Sequence, residues 1–260
     1  MNGTHRTPAA PGPDEQRLLD ALFTPGAPLG AARAHGHDPA LPARVTAVEE
    51  VTTVRVPSGR LAVACPWPPD DEPGVPLPVA FELAERVPPG PRPVEAAWYE
   101  APVLFMGGLQ GRRQVAAVRL RLTDAPVARW EAAAFLPIPV GTDPGGHLGT
   151  DDHGRRYCYD EHQACAFADA AAWPELVDPF RQFARDAIAR RPNDGRGIAH
   201  LHDHAFQRTS SPAHAADLLA FPSSGVTAWL GRAADGTPAA VLVPGTLDDV
   251  DPAPERRPWP

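Results

Sequence analysis

Proline is the feature that most constrains this chain, because 34 of its 260 residues are proline. A proline ring fixes φ and removes a backbone donor, so helix interiors and central strands must run between prolines. The sequence therefore predicts short elements joined by rigid turns. A chain of this length can still bury a substantial core without a disulfide or a metal to hold it together.

Apolar and polar residues alternate in many short segments between the prolines. The clearest are residues 118–123 and 129–135, which follow each other through a short turn. Successive side chains of a strand point to opposite faces, and short turns without a crossover helix favour antiparallel pairing. Asp235-Gly236 is typical of a β-hairpin, and we interpret residues 222–225 as a second hairpin turn. The pattern predicts an α+β, β-rich fold whose mainly antiparallel sheets form a sandwich or one strongly bent sheet.

Two segments show helical spacing instead. The stronger, residues 178–191, has Asp178 as an N-cap, Pro179 at the first helical position and a further proline after its end, all of which favour a helix. Its predicted apolar stripe contains Phe180, Phe183, Ala184, Ala187 and Ile188, at the spacing of one helix face. A short N-terminal helix is predicted over residues 14–23, and a one-turn helix is expected to begin at Asp169.

The changes of composition divide the chain into four regions. Residues 1–13 are predicted to be a flexible tail. Residues 14–42 hold the N-terminal helix and an irregular wrap rich in proline, glycine and alanine. Residues 43–245 are predicted to form a single β-rich globular domain, and residues 246–260 an acidic, proline-rich tail.

Charge and residue usage narrow the class of function. The formal net charge is −8, and all basic residues are arginine. A generic nucleic-acid surface is basic, so we expect no nucleic-acid partner. The absence of lysine from the sequence excludes a Schiff base and a phosphate-loop lysine. An acidic protein instead suits a basic protein partner.

Cysteine usage and hydropathy bear on the compartment. The three cysteines form no C-x-x-C pair, which argues against a disulfide framework. The N-terminal residues do not have the pattern of a secretory signal, and no stretch approaches the roughly 20 apolar residues of a membrane helix. We therefore expect a cytoplasmic protein without a membrane partner.

Four segments together resemble a bacterial protein family, the domain of unknown function 4241. They are Pro57-Ser58-Gly59-Arg60-Leu61, residues 87–95, residues 115–131, and residues 221–236 with Phe221-Pro222-Ser223-Ser224-Gly225. The chain departs from the family pattern at two points. His162 occupies a position where the family has glycine, and the family's Gly-Asp-Gly turn is missing after Gly225. The resemblance implies a similar fold and layout, and it implies no mechanism.

The segment His200-Leu201-His202-Asp203-His204 is the most pointed candidate site. On a strand the three histidines would share one face, and imidazoles so placed bind zinc or another divalent metal with a fourth ligand from elsewhere. The segment superficially resembles the metal motif of metallo-β-lactamases but is one residue short. The alternative interpretation is a polar surface segment without a ligand.

Carboxylates at residues 151–169 form a second candidate. Asp160 and Asp169 are the residues that could complete a metal site or act as acid and base. The alternative is structural, with the aspartates in turns and Asp169 as a helix cap.

A nucleophilic site is less well supported. Ser223 and Ser224 precede an apparent strand, whereas a nucleophile elbow leads into a helix. Cys158 and Cys165 flank His162 and could form a Cys–His pair, but small buried hydrophobes are the more common role of cysteine.

Two classes of function follow from these observations. The first is a non-catalytic binding protein, a partner or immunity-type protein that acts through an acidic surface. The second is a metal-dependent, hydrolase-like enzyme that uses His200, His202 and His204, with zinc or another divalent metal as cofactor. The missing lysine and the lack of a clear nucleophile favour the first.

Overall fold

A computed structural model describes residues 10–29, 44–67, 80–105, 108–138, 148–150, 156–158, 164–192, 194–202, 204–223 and 228–245. The helices are α1 (Pro13–Ala21) and α2 (Trp173–Ile188). The strands of the first half are β1 (Arg44–Val56), β2 (Leu61–Ala64), β3 (Phe81–Leu83), β4 (Gly90–Phe105), β5 (Gly108–Arg121), β6 (Arg129–Ala132) and β7 (Phe135–Pro137). Those of the second half are β8 (Leu148–Thr150), β9 (Arg156–Cys158), β10 (Ala164–Asp169), β11 (Ala199–Leu201), β12 (Phe206–Ser211), β13 (Ala216–Pro222), β14 (Trp229–Arg232) and β15 (Pro238–Pro244).

The strands form two large antiparallel sheets. The first sheet has the order β1-β4-β5-β15-β14-β6, and the second has the order β11-β12-β13-β10-β2-β3-β7, with β8 and β9 paired separately. Every described ladder is antiparallel. The predicted α+β, β-rich class with antiparallel sheets is therefore confirmed.

The main core lies between the two sheets. Val54 and Leu120 of the first sheet belong to the same buried cluster as Phe167 and Leu219 of the second. Alternating apolar residues place one face of each sheet toward the other, and burial of these faces is the main stabilising term of a sandwich. The sandwich geometry follows from this packing.

A helix covers the outer face of each sheet. Leu19 and Leu22, at α1 and its C-terminal end, pack with Trp130 of the first sheet, and the Trp130 indole N–H donates to Asp20 at 3.1 Å. On the other side, Leu176 and Phe180 of α2 pack with the outer face of the second sheet. The chain thus forms four layers, helix, sheet, sheet and helix.

The long helix differs from its predicted bounds. It begins at Trp173 and includes Pro179 in its interior, whereas the sequence placed its start at Asp178. The buried stripe consists of Trp173, Leu176, Val177 and Phe180, while Phe183 is exposed. Burial of these four apolar side chains stabilises the N-terminal turns of the helix. This stabilisation outweighs the loss of the one backbone hydrogen bond that Pro179 cannot donate. The expected one-turn helix at Asp169 is also wrong, since that residue ends β10.

Two connections lead from one sheet to the other. Residues 57–60 lead from β1 in the first sheet to β2 in the second, and residues 222–225 lie between β13 in the second and β14 in the first. The hairpin interpretation of residues 222–225 is therefore wrong. Strands β5 and β6 share a sheet, but β15 and β14 lie between them. The Asp235-Gly236 hairpin is confirmed, with β14 and β15 directly paired.

The N-terminal helix is confirmed at Pro13–Ala21. Most of the predicted N-terminal tail, residues 30–42 of the predicted wrap and the predicted tail at 246–260 lie outside the described residues. Among the described helices, neither is long and apolar enough to cross a membrane.

Candidate functional site

The three-histidine segment is a turn and not a continuous strand. Strand β11 ends at Leu201, and the backbone is left-handed at His202 (φ 48°) and at His204 (φ 71°). Histidine is one of the few residue types enriched in this conformation. The expectation that His200, His202 and His204 share one strand face is therefore wrong.

The turn separates the three rings into two groups. The rings of His200 and His204 lie 4.5 Å apart between centroids. The His202 ring lies 6.1 Å from that of Trp98 and 5.8 Å from that of Phe206. All three histidines are exposed, and Asp203 lies outside the described residues. Across the described ranges, no group of three or more His, Cys, Asp or Glu side chains is arranged to hold a metal ion.

Trp98 connects this turn to the first sheet. It belongs to the core cluster between the sheets and is 4% exposed. The Arg113 guanidinium lies 4.1 Å above its ring and pairs with Glu49 at 2.6 Å. A guanidinium over an indole face is attracted by the ring quadrupole. Among the described residues, no group accepts a hydrogen bond from the buried Trp98 indole N–H, which is uncommon because a buried donor without a partner destabilises the fold.

A two-stranded ribbon extends from this point. Pairing of β1 with β4 ends at Arg44 and Glu100, and pairing of β15 with β5 ends at Pro244 and Ala117. Beyond them β4 and β5 pair only with each other, through five residue pairs from Ala101–Arg112 to Phe105–Gly108. We call residues 101–105 and 108–112 the ribbon. Neither of its edges has a further strand partner within the described part of the chain.

The ribbon was missed in the sequence, although a signal was present. Residues 101–111 are uncharged and include Gly107-Gly108 between two apolar runs, a pattern that favours a hairpin. The side-chain environment of Trp98 depends on residues about 100 positions away in the chain, so no local pattern indicates it.

The two acidic candidates differ, because Asp169 has a structural role and Asp160 lies outside the described residues. Asp169 is buried, and its carboxylate accepts hydrogen bonds from the backbone N–H of Ser58 at 2.8 Å, the Ser58 hydroxyl at 2.9 Å and the backbone N–H of Ala171 at 2.8 Å. These bonds fix the turn that joins the two sheets. Asp169 does not cap a helix as expected, since the N-cap of α2 is Ala172. Asp160 and the other acids of residues 151–161 lie outside the described residues.

A second buried carboxylate, Asp217, was not predicted. It accepts hydrogen bonds from Arg55, Arg208 and Ser210. Burial raises the pKa of Asp217, but the hydrogen bonds from Arg55, Ser210 and Arg208 outweigh it and hold that pKa well below its usual range. Because Arg55 is on β1 and Asp217 on β13, this ion pair joins the two sheets.

A third ionic cluster surrounds Arg232. Its guanidinium donates to Glu85 at 2.6 Å and to Glu131 at 2.6 Å. The hydrogen bond to Glu85 is the largest influence on the pKa of Arg232 and raises it; burial lowers this pKa, and the hydrogen bond to Glu131 raises it further. The cluster joins β14 and β6 to the segment that follows β3.

A serine, a histidine and a glutamate meet at the start of α2, but their geometry is not that of a catalytic triad. The Nδ1 atom of His214 lies 2.8 Å from Glu175 and 3.1 Å from the Ser211 hydroxyl. A triad uses opposite ring nitrogens for the nucleophile and the acid. Ser211 is also fully buried, so it cannot reach a substrate.

Where the structure describes them, the serine and cysteine side chains considered as nucleophiles are buried. Ser223 is buried and its hydroxyl donates to the carbonyl of Pro244 at 3.1 Å. Cys65 and Cys165 are buried, which confirms the interpretation of small buried hydrophobes for these two. Ser224, His162 and the side chain of Cys158 lie outside the described residues.

Comparison with protein-family models, with the curated proteins and with the solved structures found no match to this chain. The resemblance to domain of unknown function 4241 stays a prediction.

Proposed function

We propose that this chain is a non-catalytic binding protein that holds a protein partner at the end of the sandwich from which the ribbon projects. The observation that carries the proposal is the five-pair extension of β4 and β5 beyond both neighbouring strands. A strand pair with two unpaired edges presents free backbone donors and acceptors. An extended partner segment can add to such an edge as a further strand.

The sequence of the ribbon supports a binding role. Proteins usually protect exposed edges with charged residues, but residues 101–111 carry no charge. Val103, Leu104, Phe105 and Leu109 are instead apolar. Such an uncharged, largely apolar sequence on an unpaired strand edge favours pairing with another chain.

The charges of the chain support a basic partner. The formal net charge is −8, so the chain as a whole is acidic, while Glu100 at the base of the ribbon lies opposite Arg44 and Arg113. A negative surface attracts a basic partner and increases the association rate. We place this interaction in the cytoplasm, which suits the unpatterned cysteines, and regard an immunity-type inhibitor as one form of it.

The described polar groups give little support to catalysis. Asp169 and Asp217 are buried and already bound by several donors. A general acid or base must instead reach a substrate in a suitable protonation state. Ser211 and His214 lack triad geometry. These groups serve the packing of the sandwich.

Removal of the ribbon tests the proposal. Glu100 and Arg113 are directly opposite each other, so an Asn-Gly pair can replace residues 101–112 and close a two-residue hairpin. We expect this variant to fold and to lose the partner that the full chain captures from cells of its source. The partner is then purified, and binding to both chains is measured by calorimetry.

A matched control alters a turn at the other end of the sandwich. Insertion of Gly-Ser at the Asp235-Gly236 hairpin changes a turn beside the far end of β5, and we expect unchanged affinity. Equal affinity of the ribbon variant and the full chain for every captured protein would contradict the proposal.

The alternative function is a metal-dependent, hydrolase-like enzyme that uses His200, His202 and His204. The approach of the His200 and His204 rings favours it, whereas the position of His202 against Trp98 does not. Ester and phosphoester hydrolysis that requires zinc, and that is lost in His200→Gln, would place this function first.

A further inference from the structure

We propose that His200 and His204 form a binding site for a zinc-like divalent cation, and that His202 is not one of its ligands. The two rings lie 4.5 Å apart between centroids and both residues are exposed. Within the described residues neither ring makes a hydrogen bond or an ion pair. Their ring nitrogens are therefore available to a metal ion.

The ring separation suits a shared cation. Zinc–imidazole bonds are about 2.0–2.1 Å long, so two nitrogens on one tetrahedral zinc ion are about 3.3 Å apart. A centroid distance of 4.5 Å is compatible with one nitrogen of each ring binding the same ion. Because both residues are exposed, water can occupy the other coordination positions.

The backbone explains why the first and last histidines meet. His202 and His204 are in the left-handed region, and the N–H of Ala205 donates to the carbonyl of His202 at 3.0 Å. The chain therefore reverses just after β11, and His204 returns beside His200. A regular strand would place these residues two strand periods apart, at about 13 Å, which is too far for one ion.

His202 takes a different role. Its ring packs beside Trp98 and Phe206, whereas the rings of His200 and His204 contact each other. It therefore serves as a matched control for the two proposed ligands. This inference is independent of the partner-binding proposal, because it involves neither the ribbon nor a protein partner.

Calorimetric titration of the tag-free full chain with zinc chloride tests the site. The variants are His200→Gln, His204→Asn and, as the control, His202→Asn. Asparagine also tolerates the left-handed conformation, so His204→Asn and His202→Asn remove an imidazole without forcing the backbone to change. Circular dichroism of each variant checks that the fold is retained.

We expect one zinc ion to bind in a manner that depends on His200 and His204. Loss of either ligand should weaken this binding by about tenfold or more, while His202→Asn should change it by less than about twofold. Selective shifts of the His200 and His204 ring resonances in NMR spectra would support the same assignment. Absence of zinc uptake, uptake unaffected in His200→Gln and His204→Asn, or equal loss in all three variants would overturn it.

Discussion

Replacement of Asp217 by asparagine should weaken the connection between the two sheets. Oδ2 of Asp217 accepts from the backbone N–H and Nε of Arg55 at 3.0 and 2.7 Å, and from Arg208 Nη2 at 2.9 Å. Oδ1 accepts from Arg55 Nη2 at 2.8 Å and from the Ser210 hydroxyl at 2.6 Å. Asparagine has one acceptor oxygen, so whichever way its amide faces, at least two of these bonds are lost.

The magnitude follows from these contacts. A hydrogen bond to a charged group contributes about 1.5–3 kcal/mol, so two lost bonds correspond to about 3–6 kcal/mol. The side chains of Arg55 and Arg208 are 41% and 29% exposed, so both can regain water, and the effect lies near the lower limit. We expect Asp217→Asn to reduce the free energy of unfolding by about 3 kcal/mol, equivalent to about 6–12 °C in Tm for a chain near this size.

Urea denaturation at two pH values tests this value and its cause. Since the folded-state pKa of Asp217 is held below its usual range, the stabilisation is fully present above the unfolded pKa of about 3.9 and is lost as pH falls toward the folded pKa. The difference in free energy of unfolding between the wild type and Asp217→Asn should therefore be constant between about pH 5 and 7, because this range lies above the unfolded pKa. It should decrease only at lower pH. Asp194→Asn, which alters an exposed carboxylate that pairs with the exposed Arg196, is the matched control and should destabilise the protein much less. A loss of less than about 1 kcal/mol at pH 7 would refute the reasoning, since even one such bond contributes more.

Three further outcomes are expected. Gly59→Ala should destabilise the protein by about 2 kcal/mol in chemical denaturation, because residue 59 has φ 67° and an added Cβ would lie 2.8 Å from the carbonyl oxygen of Val87. Arg232→Gln should cost about 2 kcal/mol by the same measurement, because Arg232 is 16% exposed and its loss removes the cation that Glu85 and Glu131 share, which leaves Arg129 as the partner of Glu131. The Asn-Gly closure between Glu100 and Arg113 should keep Tm within about 3 °C of the wild type, since the ribbon supports no neighbouring strand; a larger loss in thermal denaturation would show that the ribbon is part of the core.

The alternation of apolar residues was sufficient to predict strands, but not their assignment to sheets. Period-two patterns indicate which side chains share a face, and both sheets of a sandwich have the same pattern. The turns at residues 57–60 and 222–225 contain ordinary hairpin residues, yet both lead from one sheet to the other. Asp235-Gly236 was predictable because the strands on either side are true neighbours.

The helix shows how tertiary packing overrides a local signal. Asp178-Pro179 has the residues of a helix start, but the upstream apolar residues Trp173 and Leu176 bury against the second sheet and extend the helix. Proline at a half-buried position removes one bond and leaves this packing intact. Local preferences alone therefore placed the start five residues too late.

The candidate sites depend on contacts between residues that are far apart in the sequence, and no local sequence pattern indicates these contacts. Arg55 and Asp217 are 162 positions apart, and neither is in a recognisable motif. The histidine segment was found, but its conformation was misjudged because two left-handed residues interrupt the strand pattern. The residue types therefore indicated possible metal binding, but the backbone conformation determined which histidine side chains lie close together.

The interleaving of the two sheets along the chain affects how the protein can be made. β5 pairs with β15, through residues as distant as Ala117 and Pro244, and five strands of the second sheet, β7 and β10 to β13, lie between them in the sequence. The first sheet therefore stays incomplete until residues through Pro244 have left the ribosome. Such a high contact order slows folding and leaves nascent strands exposed to aggregation, so synthesis of this protein should depend on chaperones that shield unfinished chains.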